Sequence, residues 1–342
     1  MKAPGSRDDI SREWVEFMLT DYEQKQDADT KVQVKSIDCN AATKPGESFN
    51  AELIRVDVQA QVTRKITAEN GEESIVTADE EYNLIIKLLT ADPFNCELIK
   101  RLEYHIKELL MYSSVAQELN KFQEIHGNNQ YRLHLPKFIY GKCTSNEYVL
   151  VMENIKMSGY ETNPKQNGLD LQHSKMAVEH IAHLHAISYA YDQKHNFLEK
   201  FPCFAFNHDI SFLFKPVVWA SLENSIRFLR NKKGMEDLAQ KLETGRSTLP
   251  SKFSAMWDDQ TRHKFCCLTH GDFWNSNLMY KHGVTQDGEQ SIESLKLIDW
   301  QITQWNNPVM DLHYMINTST TRDIRTHHSE EILRHYHNAF TG

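Results

Sequence analysis

Strand-forming and helix-forming patterns occupy different parts of this 342-residue chain. Residues 31–90 hold three segments rich in β-branched and aliphatic residues, which turn-rich stretches separate. This pattern predicts three antiparallel strands. From residue 170 onward, apolar residues such as Ala177, Ile181 and Leu184 recur at the spacing of a helix. Because strands and helices are segregated, we predict an α+β fold in two unequal, bilobal parts.

Four further segments complete this outline. Residues 9–24 are predicted to form an amphipathic helix that Asp9 or Ser11 could cap, and residues 94–125 one long helix. The next apolar runs, up to residue 155, predict a β-hairpin, and the polar segment that follows it is the predicted boundary between the lobes. The region 205–260 is also predicted to be helical.

The strongest chemical signal is the segment HGDFWNSN, which starts at His270, together with a second acidic residue, Asp299, at the end of an apolar run. Magnesium prefers oxygen ligands, and the amide of Asn277 and the carboxylate of Asp299 supply them. Asp272, five residues before Asn277, could accept a proton from an attacking hydroxyl. This set suits phosphoryl transfer, in which charge spreads over the transferred oxygens. The alternative is that these are ordinary loop residues, because Asp and Asn favour turns.

Lys87 stands inside the apolar strand segment YNLIIKLL. A lysine among so many apolar residues needs an anionic partner, and nucleotide phosphates with a glutamate would provide one. We choose Glu108, which shares a helical face with aromatic neighbours, over Glu103, which lies one face away. The alternatives are that Lys87 extends its amino group into water and that Glu108 is a solvated surface residue.

Two segments are candidates for further nucleotide contacts. Backbone amides near Gly46 and Ser48, between the first two strands, could hold phosphate, or the segment could be a plain turn. At the end of the hairpin, backbone groups could bind an adenine ring, and the side chain of the glutamate there could equally be a surface charge. This hinge segment comprises Met152, Glu153, Asn154 and Ile155.

Composition narrows the class of protein. The formal charge of −9 argues against a nucleic-acid partner. The first residues lack the apolar stretch of a signal peptide, and the chain lacks a run of 18 apolar residues, so neither secretion nor a membrane span is predicted. The six cysteines are scattered, without a CxxC pair, which favours free thiols in a reducing compartment. We therefore expect a cytoplasmic protein, with no obligate protein partner evident.

With these residues assembled, the chain resembles the ecdysteroid kinase-like family, also called CHK kinase-like. This family is part of the wider protein-kinase-like fold, with choline kinases and aminoglycoside phosphotransferases. The matching segments span roughly residues 80–340, and their joint order is quite specific. They are KELLMY, VMEN with the later SGY, HLHAISYA, LTHGDFWNSNLMY, LKLIDWQ and NNPVMDLHYM.

The resemblance implies ATP and Mg²⁺, with Asp272 as the catalytic base and Asn277 and Asp299 as metal ligands. It also implies the pair between Lys87 and Glu108. Residues 1–155 would then form a nucleotide-binding lobe that ends at the hinge, and residues 156–342 a helical catalytic and substrate lobe.

Three further residues would be structural according to the resemblance. Asp311 would brace the catalytic loop, and His185 would belong to the helical lobe. His270 would pack beneath the metal-binding segment rather than carry protons.

The chain departs from the relatives it resembles in four places. Trp300-Gln301 stands where protein kinases carry Phe-Gly, and Gly271 replaces the arginine of their HRD motif. Both departures fit small-molecule kinases. The nucleotide loop around Ser48 is a loose match. Relatives continue through further helices after the last segment, EEILRHYHNAFTG, so the resemblance implies that the final helices are missing.

Three functions remain open at this level. The first is a kinase for a hydroxyl of a small molecule, such as an ecdysteroid, a sterol or another lipophilic alcohol. The second is a choline- or ethanolamine-type kinase, in which Trp274, Trp300 and Trp305 could form a cation-binding box, although aromatic residues more often pack. The third is a non-catalytic pseudokinase that only binds nucleotide, against which the intact catalytic residues argue.

Overall fold

The computed structural model describes most of the chain. The described residues are 1–43, 51–67, 73–127, 131–164, 167–205, 218–249, 251–252, 265–285 and 287–342. The predicted phosphate-holding residues Gly46 and Ser48 lie outside these ranges, as do parts of the region 205–260.

The N-terminal part of the chain is built on a five-stranded antiparallel sheet with the order β1-β2-β3-β5-β4. A helix precedes the sheet, and further helices lie between its third and fourth strands. The elements are α1 Arg12–Gln24, β1 Lys31–Ala41, β2 Ala51–Thr67, β3 Glu73–Leu89, α2 Pro93–Arg101, α3 Tyr104–Leu110, a π-helical turn Met111–Val115, α4 Ala116–Ile125, β4 Phe138–Cys143 and β5 Tyr148–Glu153. The three predicted strands and the predicted hairpin are therefore present.

Helix α1 starts at a serine cap and covers one face of the sheet. The amide of Trp14 donates to Ser11 Oγ at 3.2 Å, which satisfies one of the free amides of the first turn. Apolar residues of α1 share one hydrophobic core with Leu84 and Ile86 of β3. Because side chains alternate across a strand, Lys87 lies on the opposite face, which is left open to the second lobe.

The prediction of one long helix over residues 94–125 is wrong. The helix breaks between α2 and α3, where Glu103 adopts a left-handed conformation with φ of 56°. The buried residues Ile99 and Leu102 end the first segment, and the ring of His105 then contacts the carbonyl of Ile99 at 3.3 Å. The apolar periodicity runs through the break, and no glycine or proline marks it, so the sequence pattern did not reveal it.

The second part of the chain is mainly helical and carries two small sheets, with the orders β6-β8-β9 and β10-β7. Helix α5 runs through its core and packs against the last helix, α11. The elements are β6 Tyr160–Thr162, α5 Leu171–His195, α6 Phe197–Lys200, α7 Ala220–Arg230, α8 Glu236–Gly245, β7 Cys267–Thr269, β8 Leu278–Val284, β9 Gln290–Leu297, β10 Gln304–Asn306, α9 Val309–Ser319, α10 Arg322–His327 and α11 Ser329–Thr341. The predicted α+β class is confirmed, with one part built on an antiparallel sheet and a second part that is mainly helical.

Within the described ranges, no helix is both long enough and apolar enough to cross a membrane.

Candidate active site

Lys87 lies at the centre of an ion-pair cluster that joins the two parts of the chain. Its Nζ is 2.8 Å from Glu108 Oε1, on α3, and 2.8 Å from Asp299 Oδ1, which follows β9. Glu108 and Lys87 are both buried, whereas the side chain of Asp299 remains 29% exposed. Asp299 is therefore the member of the cluster that a ligand in the cleft could reach.

Charge pairing keeps Lys87 protonated. Burial by itself would lower the pKa of Lys87, but the carboxylates of Asp299 and Glu108 outweigh burial and raise that pKa. Burial also raises the pKa of Glu108, against the opposing attraction of Lys87. Glu103, the alternative partner, is exposed at the helix break and does not contact Lys87.

Asp272 and Asn277 face each other across one short turn. The segment leaves β7 at Thr269 and closes with a 3-10 turn over Asn275–Asn277. The amide nitrogen of Asn277 donates to Asp272 Oδ2 and to the Asp272 carbonyl, both at 2.9 Å. A single rigid loop thus presents a carboxylate and an amide side chain together.

Backbone contacts tie this loop to the segment of Asp299. The amide of Ile298 donates to the Asn277 carbonyl at 3.1 Å, and Asp299 then adopts a positive φ of 65°. A left-handed conformation is uncommon for a residue other than glycine, and it is tolerated where the surrounding contacts fix it. The three oxygen-bearing side chains predicted from two distant segments therefore lie on two adjoining loops.

His270 joins the same two segments through both of its ring nitrogens. Nε2 lies 3.0 Å from the Ile298 carbonyl, and Nδ1 accepts from the amide of Asp272 at 3.3 Å. These partners fit one neutral tautomer, with the proton on Nε2. Burial lowers the pKa of His270 and so also favours the neutral ring, while the carboxylate of Asp311 opposes this effect in part. The geometry leaves no ring nitrogen free to exchange protons with a substrate.

Asp311, at the start of α9, holds the beginning of the loop that carries Asp272 and Asn277. Its carboxylate accepts from the amides of His270 at 2.7 Å and Gly271 at 2.9 Å. His185 Nε2 lies 3.1 Å from the same carboxylate, and His185 Nδ1 lies 2.9 Å from the hydroxyl of Tyr336. A fully buried carboxylate with three such partners fixes the loop to helices α5 and α9.

Gly271 explains why this chain cannot carry a larger residue before Asp272. Its φ is +84°, and a Cβ placed on it would overlap the carbonyl of Ile302.

We expect Gly271→Ala to lower the free energy of unfolding by about 2–4 kcal/mol, because backbone strain and a backbone clash add. The matched control is Gly288→Ala, where φ is +82° but the space is open, so that strain alone should cost about 1–2 kcal/mol. Urea unfolding of both variants measures the difference, and equal losses would contradict the role of the Ile302 contact.

The surroundings of Asp272 favour a carboxylate that can take up a proton. Burial raises the pKa of Asp272, as does the nearby charge of Asp299, while His270 and hydrogen bonds to Asn277 and Tyr314 oppose this. Sequence reasoning missed Tyr314. It follows Asp311 by three residues on a predicted helix, and this spacing places both residues on one helical face, a signal that could have identified it.

The hinge residues use much of their own hydrogen-bonding capacity. The amide of Glu153 donates to the Lys137 carbonyl and the amide of Asn154 to the Asn83 carbonyl, both at 2.9 Å. These two amides are therefore occupied within the protein and do not face an adenine site. Met152 and Ile155 are buried.

The side chain of Glu153 is not a free surface charge. Its Oε1 accepts from Lys296 Nζ at 2.7 Å and from the amide of Lys137 at 3.0 Å. Because Lys296 lies on β9, three residues before Asp299, this pair links the hinge directly to the segment that carries Asp299.

The sequence model of the ecdysteroid kinase-like family matches residues 45–342. No curated protein sequence matches the chain significantly. Among solved structures, the GDP complex of aminoglycoside 2'-phosphotransferase-IIIa is 13% identical, with a TM-score of 0.42, covering 96% of this chain and 83% of that one. An ethanolamine kinase from Plasmodium vivax is 12% identical, with a TM-score of 0.41, covering 96% of this chain and 73% of that one.

Proposed function

Because the chain belongs to the ecdysteroid kinase-like family, we propose that it transfers the γ-phosphoryl group of ATP to a hydroxyl group of a small molecule. The observation that carries this proposal is the convergence of Asp272, Asn277 and Asp299 beside an ion-paired, buried Lys87. We place the nucleotide against residues 1–155 and the acceptor against residues 156–342.

Lys87 is the group that would hold the phosphates of ATP. Glu108 keeps its amino group in place at 2.8 Å, on the sheet face that is open to the cleft. Asp299 Oδ1 accepts a hydrogen bond from the same amino group at 2.8 Å. A bound triphosphate would compete for Lys87 and leave the carboxylate of Asp299 available to a cation.

The donor set fits magnesium. Asp299 supplies a partly exposed carboxylate, and the nitrogen of Asn277 is engaged by Asp272, which turns the amide oxygen of Asn277 away from that contact. Both groups are hard oxygen donors of the kind that Mg²⁺ prefers. When bound, the ion would neutralise negative charge on the phosphate oxygens.

Asp272 is placed to act as the base. The acceptor hydroxyl would give its proton to Asp272 while its oxygen forms a bond to the γ-phosphorus. The bond from that phosphorus to the bridging oxygen breaks, and ADP leaves with the electron pair. The raised pKa of Asp272 supports this role, because a more basic carboxylate takes up a proton more readily.

A lipophilic alcohol, such as a sterol or an ecdysteroid, is the acceptor class that we favour. The choline- or ethanolamine-type alternative would need an aromatic box, but Trp300 and Trp305 are core residues. Trp300 lies against His270, with ring centroids 4.4 Å apart, and Trp305 stacks on Phe197 at 5.0 Å.

Free thiols such as Cys39 and Cys96 support a reducing compartment, such as the cytosol, as the site of this activity.

A phosphoryl-transfer screen tests the proposal. Labelled ATP and Mg²⁺ are incubated with sterols, amino alcohols and plant-derived phenols, with Asp272→Asn as the inactive control. We expect transfer of label to an alcohol, with sterols outcompeting choline. ATP binding without transfer to any alcohol would favour the non-catalytic binding module, and transfer to choline alone would favour the choline-type kinase.

A further inference from the structure

Lys107, on α3, is a buried lysine whose ammonium group makes no anionic contact with any described residue. Its exposed fraction is 4%, similar to that of its neighbour Glu108. In the part of the chain that the structure describes, no hydrogen bond or ion pair involves Lys107 Nζ, and the group lies 5.7 Å from the centre of the Tyr104 ring. A buried ammonium that no anion neutralises lowers the stability of the folded state. Such an arrangement calls for a functional explanation.

The groups around Lys107 do not neutralise it. Burial lowers the pKa of Lys107, and the groups that act in the opposite direction are the thiol of Cys203 and the carboxylate of Glu103. Glu103 is exposed at the helix break. Burial raises the pKa of the Cys203 thiol to about 11, so this thiol is protonated and neutral at pH 7.

Lys107 lies on a different side of α3 from the nucleotide cluster. Successive helical residues are rotated by about 100°, so Lys107 points away from the direction of Glu108 and Lys87. Helix α3 packs against the 3-10 turn Pro202–Phe204, which follows α6, and Cys203 of this turn is close enough to influence the pKa of Lys107. The ammonium group therefore lies between α3 and the helical part of the chain.

Tyr104 connects this position to the catalytic base. Burial raises the pKa of Tyr104 to about 12, and the carboxylate of Asp272 contributes to that rise. The phenol is thus within electrostatic reach of Asp272, and the ammonium group of Lys107 lies over the same ring. A molecule that presents its hydroxyl to Asp272 could extend past Tyr104 to Lys107.

We propose that Lys107 binds an oxyanion, such as a carboxylate or a sulfate, carried by the acceptor alcohol. The proposal rests on the proposed function and narrows its substrate class to alcohols that also bear an acidic group. An ammonium in an apolar site attracts such a group strongly, because little water is present there to compete for either charge.

The first test is independent of catalysis and uses inorganic phosphate as the oxyanion. Thermal unfolding is followed at constant ionic strength for the wild type, Lys107→Met, Lys107→Arg and the control Lys121→Met, an exposed lysine of α4. We expect Lys107→Met to unfold at a higher temperature than the wild type without phosphate and to lose the stabilisation by phosphate. Lys107→Arg and Lys121→Met should keep it. A lower unfolding temperature for Lys107→Met, or an unchanged response to phosphate, would overturn the proposal.

The variant Lys87→Met shows whether phosphate binds at the nucleotide site or at Lys107. If the response disappears in Lys87→Met and persists in Lys107→Met, phosphate binds in the nucleotide site and the inference about Lys107 is wrong. This outcome leaves the proposed kinase activity untouched.

The second test compares cholate with its methyl ester as acceptors, since the two differ only in the charge of one group. The wild type should prefer cholate in kcat/KM by about tenfold, and Lys107→Met should lose this preference while its KM for ATP stays unchanged. A wild type that uses both acceptors equally would contradict the role of Lys107. If neither acceptor is phosphorylated, the phosphate experiment alone decides the inference, and the broader acceptor screen decides the function.

Discussion

Asp272→Asn is expected to lower kcat by about 10²–10⁴-fold, the usual contribution of a positioned general base. The amide keeps the shape of the carboxylate but cannot accept the proton of an attacking hydroxyl. Affinity for ATP should change little, because Asp272 contacts Asn277 and the loop rather than Lys87. Steady-state kinetics and calorimetric titration of ATP measure the two quantities separately.

The fold of the Asp272→Asn variant needs its own check. The hydrogen bond from the Asn277 side chain to the Asp272 carbonyl does not involve the substituted group and should persist. An unfolding temperature close to that of the wild type would show that the loop is intact. A variant that folds normally and retains the wild-type rate would mean that another group acts as base.

Asp299→Asn is expected to remove both turnover and the magnesium-dependent part of ATP binding. Asp299 is the partly exposed carboxylate of the Lys87 cluster, and a neutral amide is a weaker ligand for Mg²⁺. We expect kcat to fall by at least about 10²-fold, in line with the loss of one electrostatic contact in a transition state. Calorimetry with ATP, with and without Mg²⁺, measures the metal-dependent part.

The two variants control for each other. Asp272→Asn should keep the gain in ATP affinity that Mg²⁺ gives, and Asp299→Asn should lose it. The fold should tolerate Asp299→Asn, because Lys87 keeps Glu108 as its partner. If both variants responded to Mg²⁺ like the wild type, the metal site would have to lie elsewhere.

The sequence predicted the elements whose signals are local. Because side chains alternate along a strand, the segment YNLIIKLL puts Lys87 on the face opposite Leu84 and Ile86, and the structure has this arrangement. The short spacing of Asp272 and Asn277 made it possible to expect both on one loop. These features depend on neighbouring residues, so a single sequence is enough to predict them.

Features that depend on tertiary contacts were less accessible. Glu103 and Asp299 adopt positive φ without glycine, because surrounding contacts fix them. The amides of Glu153 and Asn154 are occupied by carbonyls from other segments, which no pattern within the hinge reveals. The isolation of Lys107 is likewise visible only in three dimensions, since KELLMY reads as an ordinary amphipathic helix.

The role of Asp311 came from the resemblance and not from its local sequence. The segment PVMDL gives no sign that its carboxylate reaches the amides of His270 and Gly271, 40 residues or so earlier in the chain. That long-range contact holds the loop that carries Asp272 and joins it to His185 of α5. Bracing of this kind depends on how α5, α9 and the loop pack together, which residue spacing does not encode.

The most direct measurement is a crystal structure with Mg²⁺ and a non-hydrolysable ATP analogue. We predict a magnesium ion at about 2.0–2.1 Å from the amide oxygen of Asn277 and a carboxylate oxygen of Asp299. Lys87 should contact the phosphates, and Asp272 should face the terminal phosphoryl group. An analogue bound elsewhere, or a metal ion held without Asn277 and Asp299, would contradict the assignment of this cleft as the phosphoryl-transfer site.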